Sequence, residues 1–280
     1  LISDAIEKEK SEGMKISRTY VGGYSLGGFQ SLLIQEIDEK NKKIGIEKSL
    51  LLNTPISILT ATEKLDGYLV QNGIYNADGL ENFLDEIFSH ILYDESLTLS
   101  NLDFADIRAV VTKLHLKDRD FEVLTGLLFR FYSANMTFAG EVFSGNESLG
   151  RLSNKKSYKR FDSVTEEFRE GLSVSFDEYS KEILYPYLKK KKYPNLTMEE
   201  FINEFDLRSS QKFIDENNRN IVFITSSDDI LLSDEDLKYI DTTFKNKVII
   251  PFGGHTGVIW HRDVAKLMVD KLEEKNEEEK

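Results

Sequence analysis

ISRTYVGGYSLGGFQSLLIQEIDEK, residues 16–40, decides the fold. Its opening, ISRTYVG (16–22), is β-rich and runs into glycines. Its close, FQSLLIQEIDEK (29–40), sets Phe29, Leu32, Leu33, Ile34 and Ile37 at helical spacing. Between them stand Gly23-Tyr24-Ser25-Leu26-Gly27 and then Gly28. The stretch predicts a strand, a sharp turn carrying a serine, and a helix.

Working outward, LISDAIEKEK (1–10) predicts a helix that ends in a turn at Gly13. EKSLLLN (47–53) predicts a second strand, stopped by the turn residues Asn53, Thr54 and Pro55. From residue 60 to about 215 the pattern changes. Leu80, Phe83, Leu84, Ile87, Phe88, Ile91 and Leu92 form an amphipathic helical stripe. Further helices are predicted around 104–116, 121–131, 163–172, 176–188 and 198–205, and no period of two is sustained. The 143–162 stretch reads as a mobile connection. Strand character returns in NIVFITSS (220–227) and KVIIPFGG (247–254). Between those two, Ser233 is placed to cap a helix over 233–244, with Asp236 as its capping-box partner. A last helix is predicted over 258–272, followed by a solvated tail, EEKNEEEK. The domains are therefore 1–59, an inserted helical segment 60–215, and 216–280. Strands that alternate with helices imply α/β architecture with a parallel sheet covered on both faces.

Composition narrows the chemistry. The chain has 280 residues and no cysteine, which excludes disulfides, thiolate metal sites and a cysteine nucleophile. A net charge of -13 argues against a nucleic-acid footprint. No apolar run approaches the roughly 20 residues that span a bilayer. No H-E-x-x-H, phosphate loop or dinucleotide fingerprint is present, so neither metal nor cofactor is expected. The Lys189–Lys192 run reads as a solvated helix end. The chain starts at Leu1 without a recognisable signal peptide. The true N-terminus is expected to lie upstream, which leaves cytoplasm and periplasm both open.

The serine turn is the sharpest chemical feature. A side chain on a tight strand-to-helix turn is thrust out above the sheet in a strained backbone. Gly23 and Gly27 are expected to keep the turn small, and Gly28 to let the helix pack close. The helix N-terminus then aims free N–H groups at developing negative charge, Leu26 first. The pentapeptide also arises by chance, so its setting carries the weight.

A serine nucleophile needs a base. Of the four histidines, His90 and His115 sit beside apolar helix positions, and His261 is expected inside the last helix; all three read as structural. His255 stands in Gly253-Gly254-His255-Thr256-Gly257, just past the last strand. An imidazole base needs a carboxylate to orient it. Asp228 and Asp229 both follow the strand 220–227, and spacing does not separate them. Ser25, the aspartate pair and His255 all fall at carboxyl ends of strands, where parallel sheets place their sites.

GYSLGG, SSDDILLS and GGHTG together resemble the α/β-hydrolase superfamily, over about residues 1–58 and 217–272. The resemblance implies a Ser25–His255–aspartate triad and favours Asp229, with Asp228 as the alternative. It implies the C-terminal half of that family's parallel sheet, with 60–215 as a large helical cap. An ester or related acyl substrate follows, lipid-like substrates included. A non-catalytic binding protein or an acyltransferase on the same frame are the alternatives. The family has about four more strands before the serine, and its second oxyanion donor comes from among them. Here a missing N-terminal half is the expected partner. The chain alone is then expected to be a poor catalyst, since one lost donor costs about 10²–10³ in rate. A vaguer likeness to bacterial hydrolases rests on Ala134, Asn135, Met136 and Phe138. Those four residues also read as plain helix core.

Overall fold

The computed structural model describes residues 2–93, 116–144, 158–159 and 161–274. These residues form two units, one of Leu1–Ala61 with Ile202–Lys280 and one of Thr62–Phe201. In chain order the first unit begins with α1 (Ile2–Ser11), β1 (Thr19–Tyr24), α2 (Leu26–Asn41) and β2 (Ile46–Leu52). The chain then runs through α3 (Ile58–Gln71), α4 (Ala77–Tyr93), α5 (Asp118–Ser144), α6 (Thr165–Gly171), α7 (Phe176–Glu178), α8 (Tyr185–Lys191) and α9 (Met198–Asn203). The first unit resumes with α10 (Gln211–Asn217), β3 (Ile221–Ser226), α11 (Asp234–Thr243), β4 (Asn246–Ile250) and α12 (Arg262–Glu273).

The four strands pair in parallel in the order β1-β2-β3-β4. Side chains alternate across a pleated sheet, so each apolar strand feeds two cores. Leu51, Ile221 and Phe223 face one way and pack with Phe29 and Leu32 of α2, Phe213 and Ile214 of α10 and Ile240 of α11. Leu50, Leu52, Val222 and Ile224 face the other way, against Leu267, Met268 and Leu272 of α12. β3 is buried along its whole length, which is why its sequence shows no polar alternation.

One cation sits within this apolar setting. Lys48 of β2 is buried, and its ammonium donates to the carbonyls of Lys271 and Glu274 at the end of α12. Those carbonyls have no intrahelical donor, and the negative end of the helix dipole favours a cation there. The bend from α2 into β2 is held by a single side chain. Asp38 accepts the N–H groups of Lys43, Ile44, Gly45 and Ile46 at 2.7–3.1 Å.

Several boundaries differ from the sequence reading. The first strand starts at Thr19 and runs through Tyr24, not over 16–22. The last strand stops at Ile250, because Pro251 has no N–H to continue the ladder. The final helix starts at Arg262. Residues 251–261 instead form turns, with Thr256 in the left-handed region at φ 64°. His261 is therefore not inside the helix. It caps it, its ring accepting the Asp263 N–H at 3.3 Å. The capping box of Ser233 with Asp236 forms as expected.

The second unit has its own core of Leu69, Ile74, Leu80, Phe83, Val123 and Leu127. It is pinned by a buried ion pair. Arg130 donates from Nε and Nη2 to Asp66 Oδ1 at 2.9 and 2.5 Å, and from Nη1 to the Leu172 carbonyl. Asp66 Oδ2 accepts the Phe176 N–H, so the carboxylate is met on both oxygens. The expected helix 176–188 is interrupted by a π-helical stretch, Tyr179–Leu184. Ala134 is buried in α5 but Met136 is exposed, so the ANM-F residues do not share one buried face. The helix expected at 104–116, the side chain of His90, His115, most of the 143–162 connection and the tail after residue 274 lie outside the described residues. Among the described residues no helix is long and apolar enough to cross a membrane.

Candidate active site

β1 ends at Tyr24 and α2 begins at Leu26, so Ser25 alone makes the turn. Its backbone lies at φ 53°, ψ −126°, a conformation that costs a non-glycine residue about 1–3 kcal/mol. The surroundings hold it there. The Ser25 N–H donates to Leu52 O of the neighbouring strand at 2.8 Å, and its carbonyl accepts the Gly28 and Phe29 N–H groups.

Two of the three flanking glycines are required by space. A Cβ on Gly23 would sit 2.4 Å from the Gly27 carbonyl carbon, and one on Gly28 would sit 1.8 Å from Thr54 Oγ1. Gly27 differs from the sequence expectation: a Cβ there meets nothing within 4 Å. The tight contact is made by the Gly27 backbone, against which Gly23 packs.

The three residues singled out from sequence come together. His255 Nε2 lies 3.0 Å from Ser25 Oγ. His255 Nδ1 lies 3.0 Å from both Asp229 oxygens. A carboxylate only accepts, so Nδ1 carries the ring proton and Nε2 is left to accept from the serine hydroxyl. Asp229 is 4% exposed, and a carboxylate buried so deeply must be met by donors. Besides the imidazole, Oδ1 accepts the Leu231 N–H at 3.0 Å and Oδ2 accepts Asn53 Nδ2 at 2.9 Å.

Asp228, the alternative acid, does different work. Its Oδ1 accepts the N–H groups of Gly253 and Gly254 at 2.9 and 2.8 Å, tying down the loop that leads into His255. Adjacent residues on a turn send their side chains different ways, which is why spacing left the pair unresolved. His261 takes no part in this cluster, being the cap of α12. Leu26 opens α2, so its N–H is one of the first donors of a helix, for which no intrahelical acceptor exists.

Asn53 was legible in sequence only as a strand-ending turn residue. Its partner Asp229 is 176 positions away, and no local pattern announces such a contact. Among the described residues no group of three histidine, aspartate or glutamate side chains could hold a metal ion. The arrangement as it stands can move a proton from a hydroxyl to an imidazole whose far side is held by a buried carboxylate. The chain matches no family model and no curated protein.

Proposed function

We propose that this chain is a serine hydrolase of the α/β-hydrolase kind, cleaving carboxylic esters or related acyl compounds. One observation carries the reading: Ser25 Oγ, His255 and Asp229 stand in a 3.0 Å relay, with the serine on a strained strand-to-helix turn. His255 Nε2 takes the Ser25 proton while Oγ bonds to the substrate carbonyl carbon. Asp229 stabilises the imidazolium that results. The Leu26 N–H donates to the oxyanion. Collapse of the tetrahedral intermediate breaks the bond to the leaving group, which departs with the proton from His255. Water then gives a proton to His255 and attacks the acyl-enzyme carbonyl carbon; collapse breaks the bond to Ser25 Oγ, which takes that proton back from His255 as the acid leaves.

In the same proposal the helical unit acts as a cap that sets substrate choice. A further segment alongside β1, the strand at the end of the described sheet order, supplies a second oxyanion donor. The substrate is a small acyl or ester molecule, lipid-like ones included.

Fluorophosphonate labelling tests the reading. Attack by Oγ on phosphorus expels fluoride and leaves a stable phosphonyl-serine. The expected adduct maps to Ser25 by mass spectrometry and is absent from Ser25→Ala. A folded wild-type protein that takes no label at Ser25 overturns the proposal.

A further inference from the structure

We propose that Asn53 is a positioning residue for the acid and the base together: one amide group holds the Asp229 carboxylate and the loop before His255. The proposal rests on the serine-hydrolase reading and extends it by a fourth residue.

Asn53 follows the last residue of β2 and is 3% exposed. Its N–H donates to Ile224 O at 2.8 Å, extending the β2–β3 pairing by one residue. The backbone then turns left-handed, at φ 44°. The two side-chain N–H groups have two acceptors. Nδ2 lies 2.9 Å from Asp229 Oδ2 and 3.2 Å from Gly254 O.

Each contact removes a freedom the relay cannot tolerate. With Leu231 N–H on Oδ1 and Asn53 on Oδ2, the Asp229 carboxylate cannot rotate away from the imidazole. Gly254, at φ 56°, is gripped at its carbonyl by Asn53 and at its N–H by Asp228. The residue before His255 is thus fixed from two strands at once. A reacting group misplaced by about 1 Å can cost on the order of 10² in rate.

Asparagine is the side chain that meets both demands. It tolerates φ above zero better than other non-glycine residues, and its amide carries two donors on a short stem. Aspartate fits the backbone but only accepts, and glycine fits it but has nothing to donate.

The test is the rate of fluorophosphonate labelling at Ser25 across pH for wild type, Asn53→Gly and Asn53→Asp, with unfolding midpoints measured alongside. Asn53→Gly relieves the backbone and removes the donor, and is expected to slow labelling by about 10- to 100-fold. Asn53→Asp turns an acceptor toward Asp229. Two buried carboxylates that close cannot both stay ionised, so the pair holds a proton that a lone carboxylate gives up, and the acid limb of the labelling profile is expected to move up by about one pH unit. A purely structural role lowers the midpoint and leaves the limb in place. The proposal is overturned if Asn53→Gly labels within about twofold of wild type, or if the Asn53→Asp profile superimposes on it. Wild type that fails to label at Ser25 overturns the hydrolase reading and this proposal with it. Labelled wild type with indifferent Asn53 variants overturns this proposal alone.

Discussion

At Ser25 the backbone bears strain that its neighbours must be small enough to permit. The glycines around it therefore divide by contact. Gly23→Ala and Gly28→Ala drive a methyl into the Gly27 backbone or the Thr54 hydroxyl, and overpacking of that kind costs about 1–3 kcal/mol or more. Gly27→Ala places its methyl in open space, within a helix that favours alanine over glycine by up to about 1 kcal/mol. The expected result in denaturant melts is two destabilised variants and one at least as stable as wild type. A destabilised Gly27→Ala would contradict the packing described. Single residues were legible where chemistry is local. Ser25 and His255 stand in glycine-rich turns just past strands, and that setting shows in the sequence. Spacing alone did not separate Asp229 from Asp228, where only the hydrolase resemblance favoured Asp229, nor Asn53 from an ordinary turn residue. Each choice is made by a partner far along the chain.

Among the elements, the bend between α2 and β2 shows how much one carboxylate can organise. Burial pushes the Asp38 pKa up, but the four backbone N–H groups outweigh it and hold the group below its ordinary value. With the folded pKa depressed, the stabilisation is fully present above the unfolded value of about 3.9 and is lost as pH falls through the folded one. Asp38→Asn mimics the protonated state. It is expected to lower stability by about 2 kcal/mol near neutrality, with the gap to wild type closing below about pH 4. Urea melts at pH 7 and pH 3 check this, and a gap independent of pH would contradict it. The strands were legible as short apolar runs, and α11 through its capping box. The start of α12 was not, because apolar residues 258–260 continue a helical pattern that the left-handed Thr256 and the turns around it interrupt. Lys48 was not legible either: a lysine in a strand gives no sign that its charge ends on a helix C-terminus.

On the scale of the whole molecule, each unit has its own core, and each should report its own unfolding. Leu51 is fully buried against the sheet's neighbours, and Leu51→Ala should cost about 2–5 kcal/mol. Arg130→Met leaves the buried Asp66 carboxylate without its cation, at about 3–5 kcal/mol. Calorimetry is expected to resolve two transitions, Leu51→Ala lowering one and Arg130→Met the other. A single transition lowered equally by both would show one cooperative block instead. Periodicity shows the change from strands to helices after residue 60 but not where the chain rejoins the sheet. Leu207, Phe213 and Ile214 pack in the sheet's own core, yet they follow the helices before them without a break in pattern.

The strand pairing that places Asp229 beside Asn53 spans a long excursion, since β2 ends at Leu52 and β3 begins at Ile221. At its base the chain is latched to itself: Ser57 bridges Asp206 in antiparallel fashion, Ile58 N–H donates to Phe205 O and Leu207 N–H donates to Ile56 O, both at 2.8 Å. With outgoing and returning segments joined there, the length of what lies beyond has little leverage on the register of the sheet. Evolution could lengthen, shorten or exchange the intervening helices while the Ser25–His255–Asp229 relay kept its spacing. The latch is equally the place where an engineer would graft a foreign module.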